Sequence, residues 1–340
     1  MSSLPKTYKA AVFVSQNKDL VLQDVELKQP DAGHVLIKVI ACGVCHSDLF
    51  VKQGVLGDVF PRTTGHEAVG DVVAVGEGVT RWNIGDRVGG AWHGGHDGTC
   101  TSCQRGNFQT CDNQVVNGVT VDGGYGEYMT LRAEAAVRIP ADANPAEVAP
   151  LLCAGVTVFN AMRNMHIMQG GLVAVQGLGG LGHLALQYAS KMGYTVVALS
   201  SGPDKKDFAM QLGAHHYIDT KAEDTAEALQ KMGGANMIVS TAPHAKAVSP
   251  LVAGLAPMGK LVALAPLGPV EFDTGLMVIK GLSVHGWPCG HAKDSEDAIA
   301  FAHTHGIKCM IEKFPFETDY QKAFEKMESG DVRFRSVLTM

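Results

Sequence analysis

Leu172-Val173-Ala174-Val175-Gln176-Gly177-Leu178-Gly179-Gly180-Leu181-Gly182 joins a strand pattern to a helix pattern through a glycine-rich turn. Its first five residues are the short, almost wholly apolar run of a buried strand. Behind them Leu181, Leu184, Ala185, Tyr188 and Met192 recur at helical spacing. A GxGxxG alone is a weak signal. Between a strand and a helix it acquires a mechanism. Gly177 permits the tight turn, Gly179 lets the backbone approach a pyrophosphate, and Gly182 lets the helix pack closely on its strand. Gly180 and Leu181 complete the loop, and the helix N-terminus offers amide donors to phosphate.

The same alternation continues downstream. Thr195–Leu199 reads as a second strand, Lys205–Leu212 as a helix ended by Gly213, and 236–240 and 260–264 as further strands. Strand–helix alternation predicts a doubly wound parallel sheet over residues 151–288. Upstream the texture differs. Residues 8–150 read as short strands and Gly-rich turns; Val35–Ile40 and Asp71–Val75 are examples, and no long helical pattern interrupts them. After about 288 the chain is expected to return to the first domain, with a helix over Asp294–His305 and strands near Ile311 and Val337. The predicted organisation is a mostly-β domain of residues 1–150 and 289–340 enclosing the parallel-sheet domain. No internal repeat or low-complexity segment is visible.

Composition narrows the function. The 340 residues suffice for two cores, and 46% hydrophobic with 18% charged residues marks a globular chain. A net charge of −6 without a Lys/Arg block argues against nucleic acid or an anionic membrane as partner. The first ten residues are polar, unlike a signal peptide, and no apolar run reaches the roughly 18 residues of a membrane span. A cytoplasmic location is expected. There, clustered Cys among the eight present read as metal ligands before disulfides.

Three motifs carry the chemistry. Cys45-His46-Ser47-Asp48 lies upstream of Gly65-His66-Glu67-Ala68-Val69-Gly70, and Cys153 follows in Leu151-Leu152-Cys153-Ala154-Gly155. One His and two Cys are a donor set that catalytic zinc uses while keeping a fourth position open. Together with the Gly fingerprint, these motifs make the chain resemble the zinc-dependent medium-chain alcohol dehydrogenases nearly end to end. The resemblance implies a GroES-like catalytic domain beside a Rossmann cofactor domain, in an α/β protein. It implies zinc at Cys45, His66 and Cys153, a Lewis acid for hydride transfer between an alcohol and a nicotinamide cofactor. Glu67 is then a transient ligand, Asp48 the acceptor that orients His66, and Ser47 the hydroxyl that starts proton export. Cys42 matches no ligand position. Many relatives carry a relay His three residues after Ser47; this chain has Phe50. Phe50, Trp92 and Trp287 are candidate pocket residues for an apolar or aromatic substrate.

A second metal loop is expected. Cys100, Cys103 and Cys111 resemble the family's structural zinc loop, whose first Cys is here replaced by Asp97, with His93 and His96 as alternatives. His46, Thr157 and Arg335 match cofactor positions, with Arg335 read as an otherwise unemployed surface cation that binds phosphate. An NAD site would place an acid near Ser200. Ser200 and Ser201, followed by Lys205 and Lys206, resemble the NADP-preferring cinnamyl-type branch instead. The expected cofactors are two zinc ions and NADP, with NAD as the alternative. The expected partner is a small alcohol or aldehyde, and a homo-oligomer, dimer or tetramer, is expected. A polyol or sugar dehydrogenase and a non-catalytic dinucleotide-binding relative are the competing readings.

Overall fold

The computed structural model describes residues 4–57, 59–242, 244–266 and 268–340. Two compact units result, one of Met1–Val156, Gly290–Phe301 and Lys308–Met340, the other of Thr157–Cys289 and Ala302–Ile307.

The first unit is mostly β, because its β-branched runs are short and punctuated by Gly. Its hub is the ten-residue strand His34–Gly43, in which Lys38 is the single exposed position. That strand pairs antiparallel with Ala68–Val75, with Tyr128–Arg132 and with Arg335–Thr339. Arg87–Gly90 and Val137–Arg138 extend the sheet on one side, and Ile311–Pro315 pairs parallel with Arg335–Thr339 on the other. A smaller sheet joins Leu20–Glu26, Thr7–Phe13 and Arg62–Thr63. Fully buried Phe13, Trp82, Tyr125, Phe316 and Phe324 fill the core. Phe13 and Phe324 meet edge-to-face at 5.4 Å, a geometry the ring quadrupoles favour. Helices before residue 150 are short, His46–Lys52, Thr101–Gln104 and Pro145–Val148, whereas Phe316–Glu328 runs 13 residues.

The second unit holds a six-stranded parallel sheet. Its strand order is His216–Asp219, Thr195–Ser200, Leu172–Gln176, Ala235–Ser240, Leu255–Ala263, Ser283–Gly286. Strand order reverses at Leu172–Gln176, the switch point where doubly wound sheets bind dinucleotides. Leu172–Gln176 and Thr195–Ser200 are buried from their second residue on, as a sheet covered on both faces requires. The helix Gly182–Lys191 buries Leu184, Ala185, Leu186, Tyr188 and Ala189. Among the described residues no single helix is long and apolar enough to cross a membrane.

The strands His216–Asp219 and Ser283–Gly286 and the helix Thr274–Lys280 escape the sequence reading. Each is only four to seven residues long, too short for a periodicity to stand out.

Candidate metal centre and cofactor site

Sheet register builds the first site. Cys42 pairs with Ala68 on one neighbour and Leu338 on the other, and Gly43 pairs with Val337. His66–Glu67 and Arg335–Ser336 lie just beyond those pairs, so they flank the exit of the hub strand. The Gly43 N–H donates to Glu67 O (3.1 Å) and the Val44 N–H to Ser336 O (2.9 Å). A Cβ at Gly43 would stand 1.9 Å from Glu67 Oε2, so any larger residue there displaces the Glu67 carboxylate.

Cys45 then caps the helix His46–Lys52. Its sulfur accepts the Ser47 N–H at 3.5 Å, while its own N–H donates to Asp48 Oδ2 at 2.9 Å. This reciprocal pair is a capping box, and it fixes Asp48. The Asp48 carboxylate is fully buried and also accepts from Thr64 Oγ1 and from the Tyr125 hydroxyl, both at 2.8 Å. Its Oδ1 lies 3.3 Å from His66 Nδ1. That is ion-pair range, but the angle makes no hydrogen bond, and both His66 ring nitrogens are buried without a hydrogen-bond partner among the described residues. With Nδ1 facing Asp48, Nε2 is the ring nitrogen left without a protein group. Cys153 enters from the turn Ala149–Leu152, its sulfur 3.7 Å from that of Cys45.

Donor atoms of Cys45, His66, Glu67 and Cys153 all lie within 4.8 Å of one another. Two sulfurs, an imidazole nitrogen and a carboxylate oxygen, one of them an orphaned buried nitrogen, fit zinc. Electrostatics are steep here. The hydrogen bond with Cys153 holds the Cys45 thiol well below its usual range, helped by the charges of Arg335 and His66. Cys153 moves up in response, through the same hydrogen bond and through burial. Burial lowers the His66 pKa, but Asp48 and Cys45 outweigh it and the net direction is upward. Burial pushes Glu67 up to about 7 against the opposing charge of Arg335.

Arg335 is not the surface cation expected. It is 5% exposed, and its Nε donates to Glu67 Oε2 (3.2 Å) while a terminal nitrogen donates to Oε1. Arg335 supplies the counter-charge that opposes the cost of burying this carboxylate. Ser47 Oγ lies 3.6 Å from the Cys45 sulfur. Trp92 meets the His66 ring at 4.9 Å, and Phe50 meets the ring of His46, the residue after Cys45, at 5.6 Å.

The second loop also converges. Donor atoms of Asp97, Cys100, Cys103 and Cys111 lie within 4.8 Å of one another; His93 and His96 stand outside that group. Asp97 is held by the N–H groups of Thr99 (2.7 Å) and Cys100 (3.0 Å) and by Asn113 Nδ2 (2.7 Å). Those bonds keep its carboxyl far below the usual range, the Cys100 N–H foremost. His93 stacks on His96 at 5.2 Å, and His96 on Phe108 at 4.2 Å.

In the second unit the Gly fingerprint forms a tight crossing. Gly177 has φ of 90°, and a Cβ on Gly182 would stand 1.8 Å from Gly177 O. Thr241, which the sequence did not single out, closes the loop from the next strand: its hydroxyl donates to Gln176 O (2.7 Å) and borders Gly177. Ser200 ends its strand nearly buried, whereas Ser201, Lys205 and Lys206 are exposed. Thr157 is buried on the helix Ala154–Asn164. Trp287 follows the last strand of the sheet, its indole N–H buried without a partner among the described residues.

Comparison with known proteins accords with both units. Residues 31–141 match the alcohol dehydrogenase GroES-like domain, and residues 180–304 match the zinc-binding dehydrogenase family. The chain belongs to the zinc-dependent medium-chain alcohol dehydrogenases. It is 59% identical to alcohol dehydrogenase patD of Penicillium expansum over 100% of this chain and 99% of that one. Among solved structures, acetophenone reductase from Geotrichum candidum in complex with NAD aligns at TM-score 0.87 with 27% identity, covering 100% of this chain and 99% of that one. CAD from Helicobacter pylori complexed with NADP(H) aligns at 0.86 with 25% identity, covering 98% of each chain. This alcohol dehydrogenase is therefore an oxidoreductase of small molecules, of a family that implies zinc and NAD(P). Thr64 and Tyr125, which hold Asp48, carry no motif in the sequence; only the folded alcohol dehydrogenase brings them to it.

Proposed function

We propose that this alcohol dehydrogenase is zinc-dependent, prefers NADP(H), and transfers a hydride between the cofactor and a primary alcohol or aldehyde bearing an apolar or aromatic group. The convergence of Cys45, His66, Cys153 and Glu67 on one point carries the reading. A zinc ion held by Cys45, His66 and Cys153 supplies Lewis acidity to the reacting oxygen. Asp48 keeps the His66 ring oriented, itself held by three hydrogen bonds. Ser47, beside the Cys45 sulfur, takes the proton of the alcohol. Phe50 ends the side-chain relay beyond Ser47, so the onward path would be the ribose hydroxyls of a bound cofactor and water. Glu67 is poised as a transient ligand. Arg335 uses two of its five donors on Glu67, and the remainder serve phosphate recognition; His46 and Thr157 are each assigned a cofactor contact of their own. Asp97, Cys100, Cys103 and Cys111 hold a second, structural zinc.

Substrate and cofactor choice rest on particular residues. Trp92 packs on the ligand His66 and Phe50 on His46, aromatic neighbours rather than polar ones, which disfavours a polyol. Trp287, its indole N–H buried without a partner among the described residues, is assigned to substrate contact. The solved relatives named above hold NAD in one case and NADP(H) in the other, so the end of the second strand must decide. There Ser200 and Ser201 replace the acid of an NAD site, and Lys205 and Lys206 are exposed to meet a 2′-phosphate. Steady-state kcat/KM over a panel of aldehydes with both cofactors tests this. Tenfold or better use of NADPH with aromatic aldehydes is expected. Equal or better use of NADH refutes the cofactor assignment, and a preference for polyols refutes the substrate assignment.

A further inference from the structure

The turn after the second strand of the parallel sheet is held by the edge strand beside it. Thr195–Ser200 and His216–Asp219 run parallel with Ser200 directly beside Asp219. Both end on the side of the sheet where open α/β folds receive ligands. Gly202, at φ of 81°, turns the chain there. Its N–H donates to Asp219 Oδ1 at 2.8 Å, and the Tyr217 hydroxyl donates to its carbonyl at 2.5 Å. Both polar groups of Gly202 are thus satisfied by one neighbouring strand. Asp219 Oδ1 also accepts the Lys221 N–H at 3.0 Å. Those N–H groups, that of Lys221 first, hold the Asp219 carboxyl below its usual range, so the group is charged at neutral pH. An acid therefore stands at the end of the second strand after all, contributed by the neighbouring strand.

We propose that Asp219 is a selectivity-determining residue of the cofactor site: its charge restrains binding of a 2′-phosphate at the Ser200–Lys205 turn, while Asp219 and Tyr217 position that turn. The inference rests on reading the turn as the place where the ribose 2′ position binds. A 2′-phosphate brings further negative charge to a spot already bordered by Asp219 and Asp204, and Lys205 and Lys206 oppose them. A ribose hydroxyl brings none. The carboxylate therefore discriminates between the two cofactors without needing to touch either one.

Two fragments isolate the effect in the intact, zinc-loaded protein: adenosine 2′,5′-bisphosphate and 5′-AMP, with Kd measured by isothermal titration. Asp219→Asn keeps an acceptor for Gly202 and Lys221 but removes the charge. It should tighten the bisphosphate by about three- to tenfold, the size of a partly screened surface charge pair. The 5′-AMP Kd should stay within about twofold, since the charge acts on phosphate at the 2′ position alone. Raising the salt to about 0.5 M should shrink the gain. Asp219→Gln, which removes the charge and keeps an amide acceptor, should repeat the gain relative to Asp219→Glu and serves if the Asn variant folds poorly. Asp219→Glu, which keeps the charge, should not. Tyr217→Phe should weaken the bisphosphate more than 5′-AMP by releasing Gly202. Equal changes for both ligands in Asp219→Asn, no change, or the same gain in Asp219→Glu would overturn the proposal. If the wild type binds 5′-AMP at least as tightly as the bisphosphate, the NADP assignment fails, yet a bisphosphate-selective gain in Asp219→Asn would still uphold the role of Asp219.

Discussion

At the scale of single residues, position and burial set chemistry. Ser47 touches the edge of the ligand cluster through the Cys45 sulfur. Ser47→Ala should lower kcat/KM by about 10²–10⁴-fold, the usual cost of losing a positioned proton-transfer group. Full activity in that variant would remove Ser47 from the reaction. His93 offers a stability test. Burial, reinforced by His96, His291 and Arg132, brings its pKa down to about 3, against about 6.5 in an unfolded chain. The folded protein thus keeps His93 neutral while the unfolded chain protonates it. The contribution is intact above pH 6.5 and is lost as pH falls toward 3, at about 1.4 kcal/mol per pH unit for this one group. His93→Gln should flatten the acid limb of stability measured by urea unfolding between about pH 6 and 4.5, within the window those values define. An unchanged slope would show that His93 is not protonated on unfolding.

At the scale of elements, close approach is what glycine secures. The fingerprint helix lies so near its strand that a Cβ on Gly182 would stand 1.8 Å from a backbone oxygen. Backbone cannot yield as a side-chain tip can. Gly182→Ala should therefore destabilise by about 1–3 kcal/mol or more, despite the better helix propensity of Ala. Thermal unfolding and direct NADPH titration check this: both Tm and cofactor affinity should fall, and a variant with wild-type values would mean that the helix shifts freely. The fingerprint was legible because Gly positions and periodicity are local. The clamp of Tyr217 and Asp219 on Gly202 was not, because the short strand that carries them shows no pattern of its own.

For the whole molecule, the prediction is metal content. Two convergent clusters, Cys45–His66–Glu67–Cys153 and Asp97–Cys100–Cys103–Cys111, should bind two zinc ions per chain. Elemental analysis of active, unchelated protein should return about two equivalents, one for each cluster of zinc-type donors. The sites should also separate functionally: His66→Ala should abolish turnover with little loss of Tm, whereas Cys103→Ser should lower Tm with kcat largely retained for the folded fraction. Active protein without zinc would overturn the zinc-dependent reaction, and a single equivalent would leave the Asp97 loop as a metal-free turn.

The amino-acid sequence by itself determined the two textures of the chain, the parallel sheet, the phosphate loop and the ligand types, because each is written in local spacing and in residue chemistry. Tertiary structure alone decided the partners. It chose Asp97 over His93 and His96 in the second cluster, placed Thr64 and Tyr125 on Asp48, withdrew Arg335 from the surface onto Glu67, and set Asp219 beside Ser200. For Arg335 and Asp219 the physical reason is strand register, and for Asp97, Thr64 and Tyr125 it is the path of the loops that carry them. A pairing between distant segments selects which side chains share a face, and a shift of one residue would send each to the other side. No spacing along the chain records that choice, whereas the folded sheet makes it once for every residue it carries.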